Sequence, residues 1–97
     1  MHSMRKIGTN GEVPFFMFCT YILKLIDNSY YIGNTNDLEN RLQYHRAGRV
    51  KSTKHKLPFI VAYVEYFDSR NDSHAREYQI KKWKSRKAVE RLINKKD

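Results

Sequence analysis

The sequence predicts an α+β fold with the element order strand, strand, helix, strand, helix, helix. Three observations lead there. Runs rich in aromatic and β-branched residues occur at 15–26, 30–35 and 59–67, each bounded by turn formers or proline, as strands are. The segments between and after them open on capping residues and carry apolar side chains at helical spacing. The chain has 97 residues, enough for one modest core. The expected division is therefore a mobile N-terminal arm over 1–13 and a single domain over 14–97, in which any site shares the elements of the core.

Phe15 to Ile26 reads as the first strand and stops at Asp27-Asn28-Ser29, three turn formers; Tyr30 to Thr35 returns as the second, giving an antiparallel hairpin. Side chains alternate faces along a strand, so loop length decides which residues meet. A three-residue turn with Ile26 opposite Tyr30 puts Tyr21, Leu23, Leu25, Tyr31 and Gly33 on one face. A two-residue turn separates the two tyrosines, and an odd-length loop is expected because a shared site needs both phenols on one side of the sheet. Asn36, with Glu39 three residues on, predicts a helix over Asp37 to Ala47, closed by Gly48 in the left-handed region. Phe59 to Phe67 is apolar on both faces except at Glu65, which reads as the most buried strand, with Glu65 at an edge or paired. Asp72 or Ser73 starts a second helix carrying Glu77, Ile80 and Trp83. Ser85 caps a third with Ala88, Val89, Leu92 and Ile93 inward.

Nineteen Lys and Arg against ten Asp and Glu give a formal charge of +9, a field that favours polyanions such as nucleic acid. No apolar run is long enough to span a bilayer, and the N-terminus lacks the apolar core of a secretory signal. The single cysteine, Cys19, has no disulfide partner in the chain, which suits a reducing cytoplasm and a structural thiol. The four histidines are too scattered to form a ligand set on spacing alone. Oligomeric state is open, because no heptad or large apolar stripe is evident.

Several polar residues stand where a plain core would want aliphatic ones. Leu38, Arg41, Leu42 and His45 follow the spacing of one helix face, so a guanidinium and an imidazole lie on the stripe that should be apolar. An unpaired buried guanidinium is expensive, so Arg41 either reaches an acidic partner, snorkels at the core edge, or opens onto a pocket that receives an anion. Glu77, one turn before Ile80, reads on spacing first as half of a structural ion pair and second as a ligand for a hard divalent metal. With Tyr21 and Tyr31 these residues supply a phenol able to act as base, a cation for phosphate oxygens and a carboxylate for a metal ion. Arg46, Arg49, Lys51, Lys54 and Lys56 crowd the segment around 48–57. They read as nucleic-acid contacts, and only a position beside the site distinguishes that from a solvated charge run.

Tyr21, Tyr31-Ile32-Gly33, Thr35, Asn36, Asp37, Leu38, Arg41, Leu42, His45 and then Glu77, Ile80, Lys81 and Trp83 together resemble the GIY-YIG nuclease superfamily, most of all its small single-domain bacterial members. The resemblance covers about Phe16 to Trp83. It departs in the first half of the eponymous motif, which here reads Cys19-Thr20-Tyr21 and keeps only the tyrosine. Asn34 falls at a position expected to vary. The resemblance implies a three-stranded antiparallel sheet flanked by helices and an Mg2+- or Mn2+-dependent endonuclease acting on nucleic acid, DNA ahead of RNA; the cytoplasmic location expected rests on the lone cysteine. It also implies roles: Tyr21 as general base, Tyr31 in its hydrogen-bond network, Arg41 stabilising the phosphorus centre, His45 assisting, and Glu77 holding the metal. The alternative is a non-cleaving module on the same fold that binds DNA, RNA or the ribosome.

Overall fold

The structure, a computed structural model, describes residues 17–95; the arm expected over 1–13 lies outside them. Three strands, β1 (Phe18–Lys24), β2 (Tyr30–Thr35) and β3 (Ile60–Phe67), and three helices, α1 (Leu38–Arg46), α2 (Arg70–Trp83) and α3 (Arg86–Asn94), follow in the order β1-β2-α1-β3-α2-α3. The element order and the antiparallel sheet are those expected. The strands lie in the order β2-β1-β3, both pairings antiparallel, so β1 is central.

The hairpin keeps the predicted faces with a different pairing. Lys24 lies opposite Tyr30, Leu23 opposite Tyr31 and Tyr21 opposite Gly33. The connection is thus Leu25 to Ser29, closed by Leu25 N–H to Ser29 C=O (2.8 Å) and Asn28 N–H to Leu25 C=O (2.9 Å). Asn28 takes the left-handed conformation (φ 71°), which a short polar side chain tolerates best after glycine. The loop is two residues longer than the turn first considered and still odd. A two-residue shift leaves every side chain on its original face.

Burial in the sheet follows topology rather than composition. Tyr21, Ile22 and Leu23 of β1 are completely buried, whereas Ile60 and Val61 of β3 are 63% and 39% exposed. The expectation that β3 is the most buried strand is therefore corrected. An apolar run shows that a strand has two greasy faces, but not which strand has neighbours on both edges. β3 also skips one residue, Ala62, where the pairing passes from Ile22–Tyr63 to Leu23–Val61.

Two cores form on the two faces. Cys19, Tyr21, Leu23 and Leu25 pack beneath Leu38 and Leu42 of α1, with Phe59, Val64 and Tyr66. Ile22, Ile80 and Val89 pack on the other face with Ile32, Tyr63, Trp83, Leu92 and Ile93, so α2 and α3 cover that side. Burying an aliphatic side chain such as Ile22 or Ile80 contributes about 2–3 kcal/mol. Thr20, fully buried, donates from Oγ1 to the Ser73 carbonyl at 2.8 Å and pins α2 to the central strand. Glu65 is paired as expected, its Oε1 2.9 Å from Arg76 Nε.

Two of the three helix starts are set by caps one to four residues from those the sequence predicts. Asp37, not Asn36, caps α1 by accepting from Asn40 N–H (3.1 Å). Ser69, not Asp72 or Ser73, caps α2 by accepting from Asp72 N–H (3.0 Å), which moves the helix start upstream and leaves Ser73 buried inside it. Ser85 caps α3 as predicted. Gly48 sits at φ 73° after α1. Among the described residues no helix is long and apolar enough to cross a membrane.

Candidate active site

Tyr21 projects from the middle of β1 toward α1. Its phenol lies over Gly33, the residue opposite it on β2, and the fit is close. A Cβ at Gly33 would stand 2.8 Å from Tyr21 Oη, 2.9 Å from Cζ and 3.0 Å from Tyr31 Cε2. Only a hydrogen on that carbon lets two aromatic rings converge, which is the physical content of a glycine after Tyr31-Ile32. The rings of Tyr21 and Tyr31 are 6.2 Å apart, and Tyr31 meets His45 edge-on at 5.0 Å.

His45, on the last turn of α1, is fully buried. Its Nε2 is 2.9 Å from Tyr21 Oη, and its Nδ1 is 2.9 Å from Thr53 Oγ1. Thr53, also fully buried, directs its own hydroxyl to the Val50 carbonyl at 3.4 Å. With the threonine hydrogen so placed, Thr53 accepts from Nδ1–H, which leaves Nε2 as the acceptor facing the phenol. A directed chain results, from Tyr21 O–H to His45 and from His45 N–H to Thr53. Burial and the neighbouring Arg41 charge both hold His45 below its ordinary pKa, so its neutral form is favoured.

Arg41 lies one turn before His45 and brings its guanidinium to the phenols of Tyr21 and Tyr31, interactions that raise the arginine's own pKa. Arg41 thus lies against the two phenols of the same sheet face. Tyr21 is pushed up to about 12 by burial, against the lowering effect of Arg41. At neutral pH the phenol is protonated, with its proton already aimed at His45. Cys19, on the same face of β1, is likewise buried and pushed up to about 12, consistent with a structural thiol.

Glu77 stands apart from this cluster. It comes from α2, the helix on the other face of the sheet, and meets the edge strand β2 there. Asn34 donates from Nδ2 to its Oε1, and Lys81 Nζ lies 2.6 Å from its Oε2. The carboxylate is mostly buried, its side chain 14% exposed. Asn34 is the residue that the sequence reading set aside. It follows Gly33 directly, so it links the glycine under Tyr21 to the carboxylate on the far face. The signal for it lies in strand alternation, which puts a polar amide on the face otherwise built of Tyr30 and Ile32.

Among the described residues no group of three or more His, Cys, Asp or Glu side chains forms a metal cage. A single, oriented carboxylate nevertheless suits magnesium, which retains waters and is commonly held by one or two carboxylates together with substrate phosphate oxygens. Glu77 fits that role once Lys81 yields Oε2.

The basic segment adjoins the Tyr21 site. It is a series of turns held by Thr53 and Lys54 N–H groups on the Val50 carbonyl and by Lys56 N–H on Thr53, and it supplies the threonine that orients His45. Arg46 and Arg49 lie over Phe59 and Tyr44 at 5.4 and 5.9 Å; Lys56 pairs with Asp27 at 3.5 Å. Lys51 and Lys54 are exposed.

The site thus comprises a hairpin carrying two facing tyrosines over a glycine, a following helix that returns an arginine and a histidine to them, and, apart from these, a glutamate on the helix after β3. The model of the GIY-YIG catalytic domain matches residues 17–91, and the chain belongs to this family. Its relatives include a UPF0213 protein of Staphylococcus haemolyticus, 44% identical over 62 residues that make up 63% of this chain and 76% of that protein. Another, from Bacillus cereus, is 36% identical across 79% of this chain and 80% of its own length. Among solved structures, the solution structure of a UPF0213 protein from Bacillus halodurans superposes with a TM-score of 0.53 at 32% identity, covering 79% of this chain and 82% of that one.

Proposed function

We propose that the protein is a divalent-metal-dependent endonuclease that hydrolyses phosphodiester bonds in DNA. The observation that carries this reading is the directed contact from Tyr21 Oη to His45 Nε2 at 2.9 Å with Arg41 beside it. A phenol with a pKa near 12 is a poor base by itself. It becomes effective when its proton leaves for His45 as it takes one from the attacking water. His45 resists that proton first because it is buried and second because the Arg41 cation adjoins it. A bound phosphate that compensates Arg41 lessens the second effect, so the substrate itself raises the basicity of His45. Arg41 then meets the negative charge that grows on the equatorial phosphorus oxygens. Tyr31 keeps the Tyr21 ring and the guanidinium in position.

Glu77 would hold Mg2+ or Mn2+, with Asn34 fixing one carboxylate oxygen. When bound, the ion supplies Lewis-acid stabilisation of a nonbridging phosphate oxygen and of the leaving 3′ oxygen. Arg46, Arg49, Lys51, Lys54 and Lys56 contribute phosphate contacts along the adjoining strand. The alternative, a nucleic-acid-binding module that does not cut, has one observation on its side: the Lys81 ammonium already occupies the second Glu77 oxygen.

The decisive experiment incubates labelled single-stranded, duplex and branched DNA, with matched RNA, with the full chain and its Glu77→Gln variant, with and without Mg2+ or Mn2+. Cutting that requires metal and disappears in Glu77→Gln supports the enzyme. Salt-sensitive binding without cutting by either chain overturns it in favour of the module. Equal cutting by both chains overturns the role of Glu77.

A further inference from the structure

A second concavity lies on the opposite face from Tyr21, between the edge strand β2, the end of α2 and the start of α3. Its volume is about 420 Å³. Ile32, Ile80 and Val89 are among its apolar lining, while Lys81, Lys84 and Arg86 bring cationic side chains to it; none of its lining residues is acidic. Tyr30 lines it too, and the Arg86 guanidinium lies 4.8 Å from the centroid of that ring. Arg86 is fixed from three sides, by the Tyr30 ring, by the Asn28 carbonyl to which Nη1 donates, and by Glu90 at 3.0 Å from Nε. An arginine held this firmly against an aromatic ring forms a preorganised stacking surface.

Resting on the nuclease reading of the neighbouring site, we infer that this groove is a nucleotide subsite: it takes one unstacked base of the bound strand on the Arg86 guanidinium and the apolar floor, with an adjacent phosphate on Lys84 and Lys81. Three features select this occupant. The volume lies in the range of small-ligand pockets, ~300–1,000 Å³, large enough for a nucleotide and too small for a duplex. Aromatic and guanidinium surfaces beside a cationic rim are how proteins hold single bases of any sequence. The groove also shares a side chain with the candidate metal ligand, because Lys81 lines it and is the partner of Glu77.

The test reads base environment directly. Oligonucleotides carrying 2-aminopurine at successive positions are titrated with the full chain without divalent metal, so that no strand is cut. Lys84 has a left-handed backbone (φ 47°), so Lys84→Gly removes the cation while easing the backbone, and unfolding does not account for its effect. Arg91→Ala removes one charge from α3 outside the groove. The inference expects a fluorescence change confined to one position in the bound register and lost in Lys84→Gly. That variant should also show a slope of log affinity against log salt smaller by about one, the signature of one lost phosphate contact. Arg91→Ala should retain the base signal. No fluorescence change at saturating protein, or equal loss in both variants, overturns the subsite. Cleavage is not measured, so failure of the nuclease reading appears only in the earlier assay and failure of the subsite only here.

Discussion

Gly33→Ala tests how much of the candidate chemistry depends on ring placement. The added methyl would lie 2.9 Å from Tyr21 Cζ and 2.8 Å from its Oη. Carbon–carbon contacts are comfortable at ~3.5–4.0 Å, so the phenol must retreat by at least about 0.6 Å. Tyr21 is completely buried on a strand paired on both edges, so the ring cannot swing into solvent, and its partner His45 is just as enclosed. Movement of that size breaks the line from Oη to Nε2 or pushes His45 against Thr53. Overpacking of a filled core costs about 1–3 kcal/mol, and a catalytic group misplaced by ~1 Å loses about 10²-fold in rate. Thermal unfolding should show a drop of about 4 °C or more per kcal/mol in a domain of this size. Single-turnover cleavage at a temperature where the variant is fully folded then reads the misplacement alone. A folded Gly33→Ala chain that cuts at the parental rate refutes the claim that the phenol needs this cleft.

Arg41→Ala should lower the cleavage rate by about 10²- to 10³-fold while leaving DNA affinity within a few-fold; a change in affinity alone would make Arg41 a positioning contact. Thr53→Val deletes the acceptor that fixes the His45 tautomer and should reduce cleavage, whereas Thr53→Ser should retain most of it; equal losses in a comparison at matched folded fraction would remove Thr53 from the network. The depressed His45 pKa also gives a stability signature. The folded state disfavours the protonated ring, so the stabilisation is complete above the unfolded value of 6.5 and is lost as pH falls through the lower folded value. Denaturant titrations between pH 7 and the mildly acidic range should therefore show falling stability in the parent and a flatter profile in His45→Gln.

The parts of the fold legible in the sequence were those written in local pattern. Alternation around Asp27-Asn28-Ser29 gave the shared face of Tyr21 and Tyr31, and an error of two in the pairing did no harm because strand parity survives even shifts. Helical spacing placed Arg41 and His45 on the stripe that meets those tyrosines. What stayed hidden was long-range. The central position of β1 depends on which strands pair, and nothing in the composition of β3 states that Ile60 and Val61 lie on an edge. The partnerships of His45 with Thr53 and of Glu77 with Asn34 join residues from separate elements, and each threonine or asparagine looks like ordinary loop or edge polarity until the chain is folded. Caps slipped for a similar reason, since Asn36 and Asp37 are both good caps and the Thr35 side chain settles the matter by accepting the Asp37 N–H at 3.1 Å.

The central position of β1 has a kinetic consequence. Tyr21 is hydrogen-bonded into ladders on both sides, so its amide should exchange with solvent only when the whole sheet opens, among the slowest in the molecule. Glu77 belongs to a helix that Ile80 and the Thr20–Ser73 hydrogen bond tie to the same sheet, but its carboxylate is held at the edge strand by one amide and by a solvated lysine. The candidate site thus joins a phenol whose strand is as durable as the native state to a carboxylate whose contacts can open locally. Substrate capture would be felt as slowed exchange along α2 around Glu77, while the amides of β1 would barely register it.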